Sequence, residues 1–369
     1  MNGEQDGLEA KQYSKIKTRL FFMDMAGTII ALLVFSFFLA PVVSDIVYRY
    51  ISHFYAARFI FLSVFFLFLY IIQFPFHIAG SFFVEHKFGL SKQDMGGWIR
   101  DELKAIAISY ILSSGCILTF YAIVRNFPDI WWVISGIGWI FFSIIISRLF
   151  PVIVIPMFFK YSPIQDKELE DKIMVLAEKA DIPVTDVCKI DLSRKTVKAN
   201  AALVGLGATR KVVFADTLIE KFTVMESGIV AAHEFGHCKY KHIWKLFFFA
   251  GSATMSGFFA LAIISDTLTK YFGAKDVADP RFLAVIFLLV TIFGICLKPI
   301  RNLFSRILEK EADKFALDLT NSSSDFISVM EKLASINLAE TNPSWIKKIF
   351  FYDHPPIVER IRMAKKFKR

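Results

Sequence analysis

Cysteine and charged residues are both scarce in this chain of 369 residues. The sequence holds 4 cysteines, and no two of them form a Cys-x-x-Cys pair. That scarcity argues against a disulfide framework and favours a reducing environment for the part of the chain outside a membrane. Charged residues make up 21% of the chain, whereas hydrophobic residues make up 55%, with 41 Phe. A soluble protein of this length carries far less apolar material, so the composition excludes a soluble globular class.

Six apolar runs account for this excess of hydrophobic residues. Each approaches or exceeds the roughly 18–20 residues needed to cross a bilayer, so we expect a multi-span membrane protein. Pro151 and Pro156 lie near the end of the fourth run and predict an irregular helix there. The runs occupy residues 20–43, 57–83, 104–124, 130–159, 245–268 and 282–300.

The chain has a net charge of +9, and its basic residues are concentrated in a few segments. Lysine and arginine cluster before the first run, after the second run, in residues 160–230 and after residue 300. Because cytoplasmic loops carry such an excess, we expect both termini in the cytoplasm and loops 44–56 and 269–281 on the far side. No nucleic-acid-reading motif accompanies the charge, which argues against a nucleic-acid partner. The polar segment before the first run does not resemble a cleaved signal peptide.

The pentapeptide His-Glu-Phe-Gly-His at residues 233–237 indicates a metal site. On a helix, His233 and His237 project from one face, so both imidazoles can bind one zinc ion. Glu234 lies beside them and can accept a proton from a zinc-bound water, whose pKa zinc lowers to about 7. His242 follows on the same predicted helix but off the ligand face, and we expect it to be a packing residue. The motif predicts a zinc hydrolase.

A catalytic zinc ion usually has three protein ligands and one open position, so a third ligand is needed. The segment 305–313 follows the last apolar run and supplies the best candidates. Glu309 and Asp313 are four residues apart and share a helix face, so Glu309 can bind zinc while Asp313 orients a ligand histidine. The alternative is a solvated helix face on which Lys310 and Glu311 are exposed, and Glu311 is expected to have no part in metal binding.

The composition divides the chain into alternating membrane and water-exposed segments. We expect a helix at 166–180, strand-like stretches at 184–192 and 211–214, and a helix at 223–242 that carries the motif. The predicted segments are a cytoplasmic N-terminal segment (1–19), transmembrane helices 1–4 (20–159), a soluble loop domain with an edge strand and the HExxH helix (160–244), further transmembrane helices (245–300) and a C-terminal helical region with the third zinc ligand (301–369).

Three ordered motifs resemble those of the type I CAAX prenyl endopeptidases, which are integral-membrane gluzincin metalloproteases. The motifs are His-Glu-Phe-Gly-His-Cys-Lys-Tyr-Lys-His at 233–242, Ser-Arg-x-x-Glu-x-x-Ala-Asp at 305–313 and His-Pro-Pro-x-x-x-Arg at 354–360, and residues 85–91, 200–201 and 214–218 add weaker similarity. The resemblance implies an all-α membrane fold with six to seven transmembrane helices around a chamber. It also implies a small α+β zinc-protease domain.

The resemblance also implies a role for each matching residue near the metal. His233, His237 and Glu309 would hold one Zn²⁺ ion. Glu234 would be the catalytic base, and Asp313 would support the site from behind the ligands.

Other matching residues would handle the substrate. Asn200 and Ala201 would lie on an edge strand beside the cleft, where backbone groups can pair with an extended peptide. His354 and Arg360 would stabilise the developing oxyanion or tie the C-terminal helix to the site. Because Pro355 and Pro356 follow His354, its backbone should be fixed.

The leading interpretation is a membrane zinc metalloendopeptidase that cuts near the C-terminus of prenylated or other membrane-associated proteins. The alternatives are a quality-control protease for membrane proteins, a site-2-type protease with its motif inside an apolar span, and a transporter with an incidental HExxH. The expected partners are a peptide or protein substrate and membrane lipids. The expected location is a bacterial inner membrane or the endoplasmic reticulum, with the active site on the cytoplasmic side.

Overall fold

The computed structural model describes the backbone of residues 2–205 and 207–367, with their side chains except those of residues 2–6 and 208. Within this part of the chain, six helical rods are long and apolar enough to cross a membrane. They are Gly7–Tyr50, Phe54–Lys87, Met95–Asn126, Trp131–Phe158, His242–Tyr271 and Pro280–Thr320. Each predicted apolar run overlaps one rod, so the multi-span expectation is confirmed.

The first four rods are built from seven α-helices, some of which are joined by π-helical segments. α1 (Asn2–Val34) continues through Phe35–Leu39 into α2 (Ala40–Tyr50), α3 (Phe54–Ile78) continues through Ala79–Phe83 into α4 (Val84–Lys87), α5 (Met95–Asn126) is continuous, and α6 (Trp131–Leu149) continues through Phe150–Val154 into α7 (Ile155–Phe158). The π-helical segment after α6 contains Pro151, so the predicted irregular end is confirmed. Large side chains on the rods point outward, as lipid contact requires: Phe38 is 69% exposed and Ile111 is 68% exposed.

A small α+β unit follows the fourth rod. Its elements are β1 (Tyr161–Pro163), α8 (Lys167–Lys179), β2 (Asp186–Ile190), β3 (Ala201–Val204), β4 (Lys211–Ala215), α9 (Asp216–Lys221) and α10 (Val224–Lys239). The strands form one mixed sheet in the order β1-β2-β4-β3, in which β4 is parallel to β2 and antiparallel to β3. β3 is therefore an edge strand. The expectation of a small α+β unit within a mainly helical membrane protein is confirmed.

The hydrophobic core of this unit lies between the sheet and the helices α8 and α10. Val212 and Phe214 of β4 are fully buried, as are Ile173 of α8 and Phe235 of α10. These β-branched and aromatic residues suit a buried strand, and the apolar stripe of each helix covers one face of the sheet. This packing fixes α10, the helix that carries the motif, against the sheet.

Two long helices and three shorter ones complete the chain. They are α11 (His242–Tyr271), α12 (Leu283–Thr320), α13 (Ser323–Ile336), α14 (Trp345–Phe351) and α15 (Ile357–Lys366). The predicted boundary between residues 300 and 301 falls inside α12, which continues through Pro299 as one helix. Enclosure of a chamber by the rods stays a prediction.

Candidate active site

The helix α10 begins with a capping box that fixes where the motif lies. The Thr223 side chain accepts a hydrogen bond from the Glu226 backbone N–H, and the Glu226 carboxylate accepts one from the Thr223 N–H. Both partners satisfy donors that a helix N-terminus leaves free. Ile229 and Phe235 then face the core, which leaves the two motif histidines on another face.

Glu309 of α12 meets the two histidines of α10. His233 Nε2 lies 3.1 Å from His237 Nε2. The Glu309 carboxylate places Oε2 3.2 Å from His233 Nε2 and Oε1 3.4 Å from His237 Nε2. One ligand atom from each of the three residues lies within 4.8 Å of the others. The sequence-predicted trio is thus brought together although Glu309 is 72 positions after His237.

This donor set fits a metal ion. Glu309 is buried, and its Oε2 has no aligned hydrogen-bond donor although imidazole nitrogens lie nearby. A buried carboxylate oxygen without a hydrogen bond is costly unless a cation satisfies it. Two imidazoles and one carboxylate converging on one point are the donors typical of a catalytic metal site.

The close approach of α10 and α12 depends on Gly236. A β-carbon at this position would lie 2.8 Å from Ala312 Cα and 3.1 Å from the Ala312 carbonyl oxygen. Only a residue without a side chain allows the two backbones to approach this closely. The glycine of the motif therefore determines the position of Glu309.

A buried ion pair lies behind His233. His233 Nδ1 is 2.9 Å from Asp313 Oδ1, but the ring is not aligned for a straight hydrogen bond, so the contact is electrostatic. Arg360 of α15 donates from Nε to Asp313 Oδ2 at 2.8 Å and also contacts Oδ1. Burial lowers the pKa of His233, but the carboxylates of Asp313 and Glu309 outweigh it and raise the pKa to about 9. A metal ion binds the unprotonated ring, so it competes with a proton for His233.

The side chain of Glu234, on the motif helix, lies beside the edge strand. Burial raises the pKa of its carboxyl group, and a hydrogen bond from the Leu203 backbone partly opposes that shift. Leu203 belongs to β3, so the edge strand is adjacent to the motif. Asn200 and Ala201, the predicted substrate residues, lie at the start of the same strand, where the Asn200 side chain accepts a hydrogen bond from the Ala201 N–H.

His354 reaches Glu309 from the loop before α15. Its Nε2 lies 3.3 Å from Glu309 Oε2, and its Nδ1 lies 2.9 Å from the Asp353 carboxylate. Burial lowers the pKa of His354, but Asp353 and Glu309 reverse the effect and raise it. The ring is about half exposed, with a relative exposure of 53%, so it borders an open side of the site.

His242 and Glu311 are two neighbours of the site that sequence reasoning missed. His242 Nδ1 lies 2.9 Å from His237 Nδ1, and His242 Nε2 lies 2.9 Å from Glu311 Oε2. His242 was expected to be a packing residue off the ligand face of the same helix, but it contacts His237 because α10 ends at Lys239. Lys241 adopts a left-handed conformation with φ of 55°, which reverses the chain and returns His242 to His237. Helical periodicity cannot reveal such a contact.

The position of α10 also bears on the site-2-type alternative. The motif helix (Val224–Lys239) lies outside the six candidate membrane spans of the described residues. A protease of that type would carry its motif within an apolar span, which is not where this motif lies.

Comparisons with known proteins agree with this geometry. The family model described as "Peptidase family M48" matches residues 163–368. The model described as "CAAX prenyl protease N-terminal, five membrane helices" matches residues 4–160. Four candidate spans lie in that segment here, among the residues that the structure describes.

Individual relatives match most of the chain. The uncharacterized metalloprotease YhfN of Bacillus subtilis is 28% identical over 97% of this chain and 85% of its own length. The CAAX prenyl protease 1 homolog of Arabidopsis thaliana is 29% identical, and CAAX prenyl protease 1 of Saccharomyces cerevisiae is 27% identical. Each of these two alignments covers 79% of this chain. They cover 69% of the length of the plant protein and 68% of the length of the yeast protein.

A solved structure shows the same fold. The crystal structure of S. mikatae Ste24p superposes with a TM-score of 0.88 at 23% identity, covering 98% of this chain and 89% of that chain. The two family matches together span nearly the whole sequence, and the first covers more than half of it. The chain therefore belongs to peptidase family M48 and is an integral-membrane metalloprotease of the CAAX prenyl protease type.

Proposed function

We propose that the metal ion is a single Zn²⁺ held by His233, His237 and Glu309. The observation that carries this proposal is the convergence of their ligand atoms within 4.8 Å at a buried, unsatisfied carboxylate oxygen. Two imidazoles and one carboxylate form a donor set that zinc prefers in peptidases. When bound, zinc supplies an open position and acidifies a water molecule to a pKa of about 7.

We propose Glu234 as the base that takes the proton from the attacking water. Burial raises the pKa of its carboxyl group, which makes the carboxylate a better proton acceptor than an exposed glutamate. The Leu203 backbone, in the edge strand, faces this carboxylate and favours its charged form. In this proposal Glu234 binds no metal, so its loss should leave metal binding intact.

We propose that His354 donates a hydrogen bond to the oxyanion that forms on the scissile carbonyl. Its Nε2 faces the metal-binding residues, and Asp353 together with Pro355 and Pro356 fixes the ring. Arg360 has a different task, because both of its contacts are to Asp313. It ties α15 to α12 and fixes the Asp313 carboxylate behind His233.

We propose that the substrate is the C-terminal part of a prenylated or otherwise membrane-associated protein. β3 is an edge strand beside Glu234, and an extended peptide can add to such an edge through backbone hydrogen bonds. Ala201 begins this strand, Asn200 directly precedes it, and both would contact the peptide. The basic segments 160–230 and 301–367 border the site, which favours the cytoplasmic side of the membrane.

The test compares Glu234→Gln with the parent protein in detergent or nanodiscs. We expect the variant to retain one zinc ion per chain and to lose cleavage by about 10²–10⁴-fold, because the base is removed and the ligands are kept. The assay uses a synthetic farnesylated C-terminal peptide and the same peptide without the prenyl group. If Glu234→Gln cleaves the peptide at the rate of the parent protein, Glu234 is not the base. If the parent protein cleaves both peptides equally, prenylation is not required.

A further inference from the structure

A hydrogen-bonded bridge connects His237 to a carboxylate on the far side of α12. His237 Nδ1 contacts His242 Nδ1 at 2.9 Å, and His242 Nε2 contacts Glu311 Oε2 at 2.9 Å. Lys245 Nζ donates to the same carboxylate oxygen at 2.9 Å. We call these four residues the His242 bridge, and it joins the end of α10 and the start of α11 to the side of α12.

The partners fix the direction of every hydrogen bond in the bridge. The Glu311 carboxylate can only accept, so His242 Nε2 carries a hydrogen atom. A neutral His242 then offers its Nδ1 as an acceptor, which requires a hydrogen atom on His237 Nδ1. The lone pair of His237 is consequently on Nε2, the atom that faces His233 and Glu309.

We propose that His242 and Glu311 are positioning residues that hold His237 in the tautomer and ring orientation needed to bind the metal. This inference rests on the proposed metal role of His237. Metal-binding histidines commonly donate their second ring N–H to an acceptor, which orients the ring and raises its basicity. His242 supplies that acceptor here, and Glu311 orients His242 in turn.

The surroundings of His242 suit this task. Its side chain is 1% exposed, so water does not compete for the ring nitrogens. The Tyr240 ring stacks on it with an interplanar angle of 23°. Lys245 balances the charge of Glu311 from the next turn of α11.

The two metal-binding histidines thus receive support from different sides of α12. Asp313 shares a helix face with Glu309 and reaches His233 directly. Glu311 is two residues from Glu309, which places it about 200° around the helix, too far around to contact His237. His242 spans that distance, which explains why this side of the site needs an intermediate residue.

The test measures zinc affinity by chelator competition in the full-length protein. His242→Phe keeps the ring volume but removes both hydrogen bonds, whereas His242→Gln keeps an acceptor for His237 and a donor for Glu311. Glu311→Ala removes the far end of the bridge, and Asp318→Ala removes an exposed carboxylate from the same helix as a matched control. We expect zinc affinity to fall about 10–100-fold in His242→Phe and Glu311→Ala. Affinity should be unchanged in Asp318→Ala and restored close to the parental value in His242→Gln.

A second readout separates positioning from simple stabilisation. Cobalt(II) replaces zinc in the purified variants, and its visible absorption bands report the geometry of the ligands. We expect altered bands in His242→Phe and Glu311→Ala but parental bands in His242→Gln and Asp318→Ala. If His242→Phe does not fold, Glu311→Ala decides the question, because Glu311 is partly exposed at 42% and its loss leaves the core intact.

Several outcomes would overturn the bridge. Parental zinc affinity and parental cobalt bands in Glu311→Ala would do so, as would an equal loss of affinity in Asp318→Ala. A zinc affinity of His242→Gln as low as that of His242→Phe would also contradict the proposed hydrogen-bond directions. A parent protein that binds no zinc would instead overturn the proposed function, and the bridge with it.

Discussion

Replacing Gly236 with alanine tests whether the contact between α10 and α12 sets the geometry of the metal site. Inside a helix, alanine is favoured over glycine by about 1 kcal/mol, so the change should stabilise α10 taken alone. The new β-carbon, however, would lie 2.8 Å from Ala312 Cα and 3.2 Å from Phe315 Cβ. Carbon atoms pack at about 3.5–4.0 Å, so α12 must retreat by roughly 0.7–1.2 Å.

That retreat determines the expected magnitude. Overpacking of this kind costs about 1–3 kcal/mol, which offsets the gain in helix propensity and leaves a net loss of up to about 2 kcal/mol. The larger effect is on the metal site, because Glu309 is one turn before Ala312 on the same helix. Metal–ligand distances tolerate only about 0.2 Å, and a misplacement of about 1 Å near reacting groups costs on the order of 100-fold in rate.

Gly228→Ala is the matched control on the same helix. A β-carbon there would meet Leu176 Cδ1 at 3.1 Å, the flexible end of a side chain that can move aside. We expect Gly228→Ala to keep or raise the melting temperature and to bind zinc as the parent does. Gly236→Ala should lose at least about 10-fold in zinc affinity by chelator competition. Parental zinc affinity in Gly236→Ala would refute the idea that this contact positions Glu309.

Three further predictions concern other parts of the molecule. Burial raises the pKa of Glu226, but hydrogen bonds from a lysine, a serine and a backbone N–H outweigh burial and lower this pKa. The charged carboxylate therefore stabilises the fold above the unfolded-state pKa, and this stabilisation is lost as pH falls through the folded-state pKa. Glu226→Gln should therefore lower the melting temperature at pH 7, with a difference that shrinks below about pH 4. His354→Ala should keep zinc and lose about 10²–10³-fold in kcat with little change in KM, and a loss of zinc would make His354 a ligand instead. In a background without native cysteines, Ser52→Cys and Lys275→Cys should label from outside the cell and Glu9→Cys should not, and the reverse pattern would invert the topology.

The three candidate metal ligands could be identified from the sequence because their signals are local or chemically scarce. His233 and His237 share a helix face by spacing alone, and the helix forms because Thr223 and Glu226 cap it. Glu309 needed an additional premise, that a third ligand must exist, since no spacing links it to α10. The six spans were predictable because apolar length is sufficient to identify them.

The missed residues share a different cause. His242 contacts His237 only because a left-handed residue at Lys241 ends one helix and starts the next. Lysine is an unusual residue for that conformation, so its sequence gives no turn signal. Leu203 reaches Glu234 through its backbone, and a backbone contact leaves no mark in the side-chain pattern.

The division predicted at residues 300 and 301 shows how the membrane and the active site are mechanically joined. Lys298 and Arg301 end the apolar run, yet the helix continues to Thr320 and carries Glu309. From Leu283 to Glu309 the helix is about 39 Å long, so a tilt of roughly 1.5° about its far end would move Glu309 by about 1 Å. A lever of that length needs a rigid contact near the site. Two such contacts lie within four residues of Glu309 on α12. Gly236 packs against Ala312, and Arg360 pairs with Asp313. These contacts keep Glu309 at a fixed position relative to α10, while the rest of α12 lies among the membrane helices.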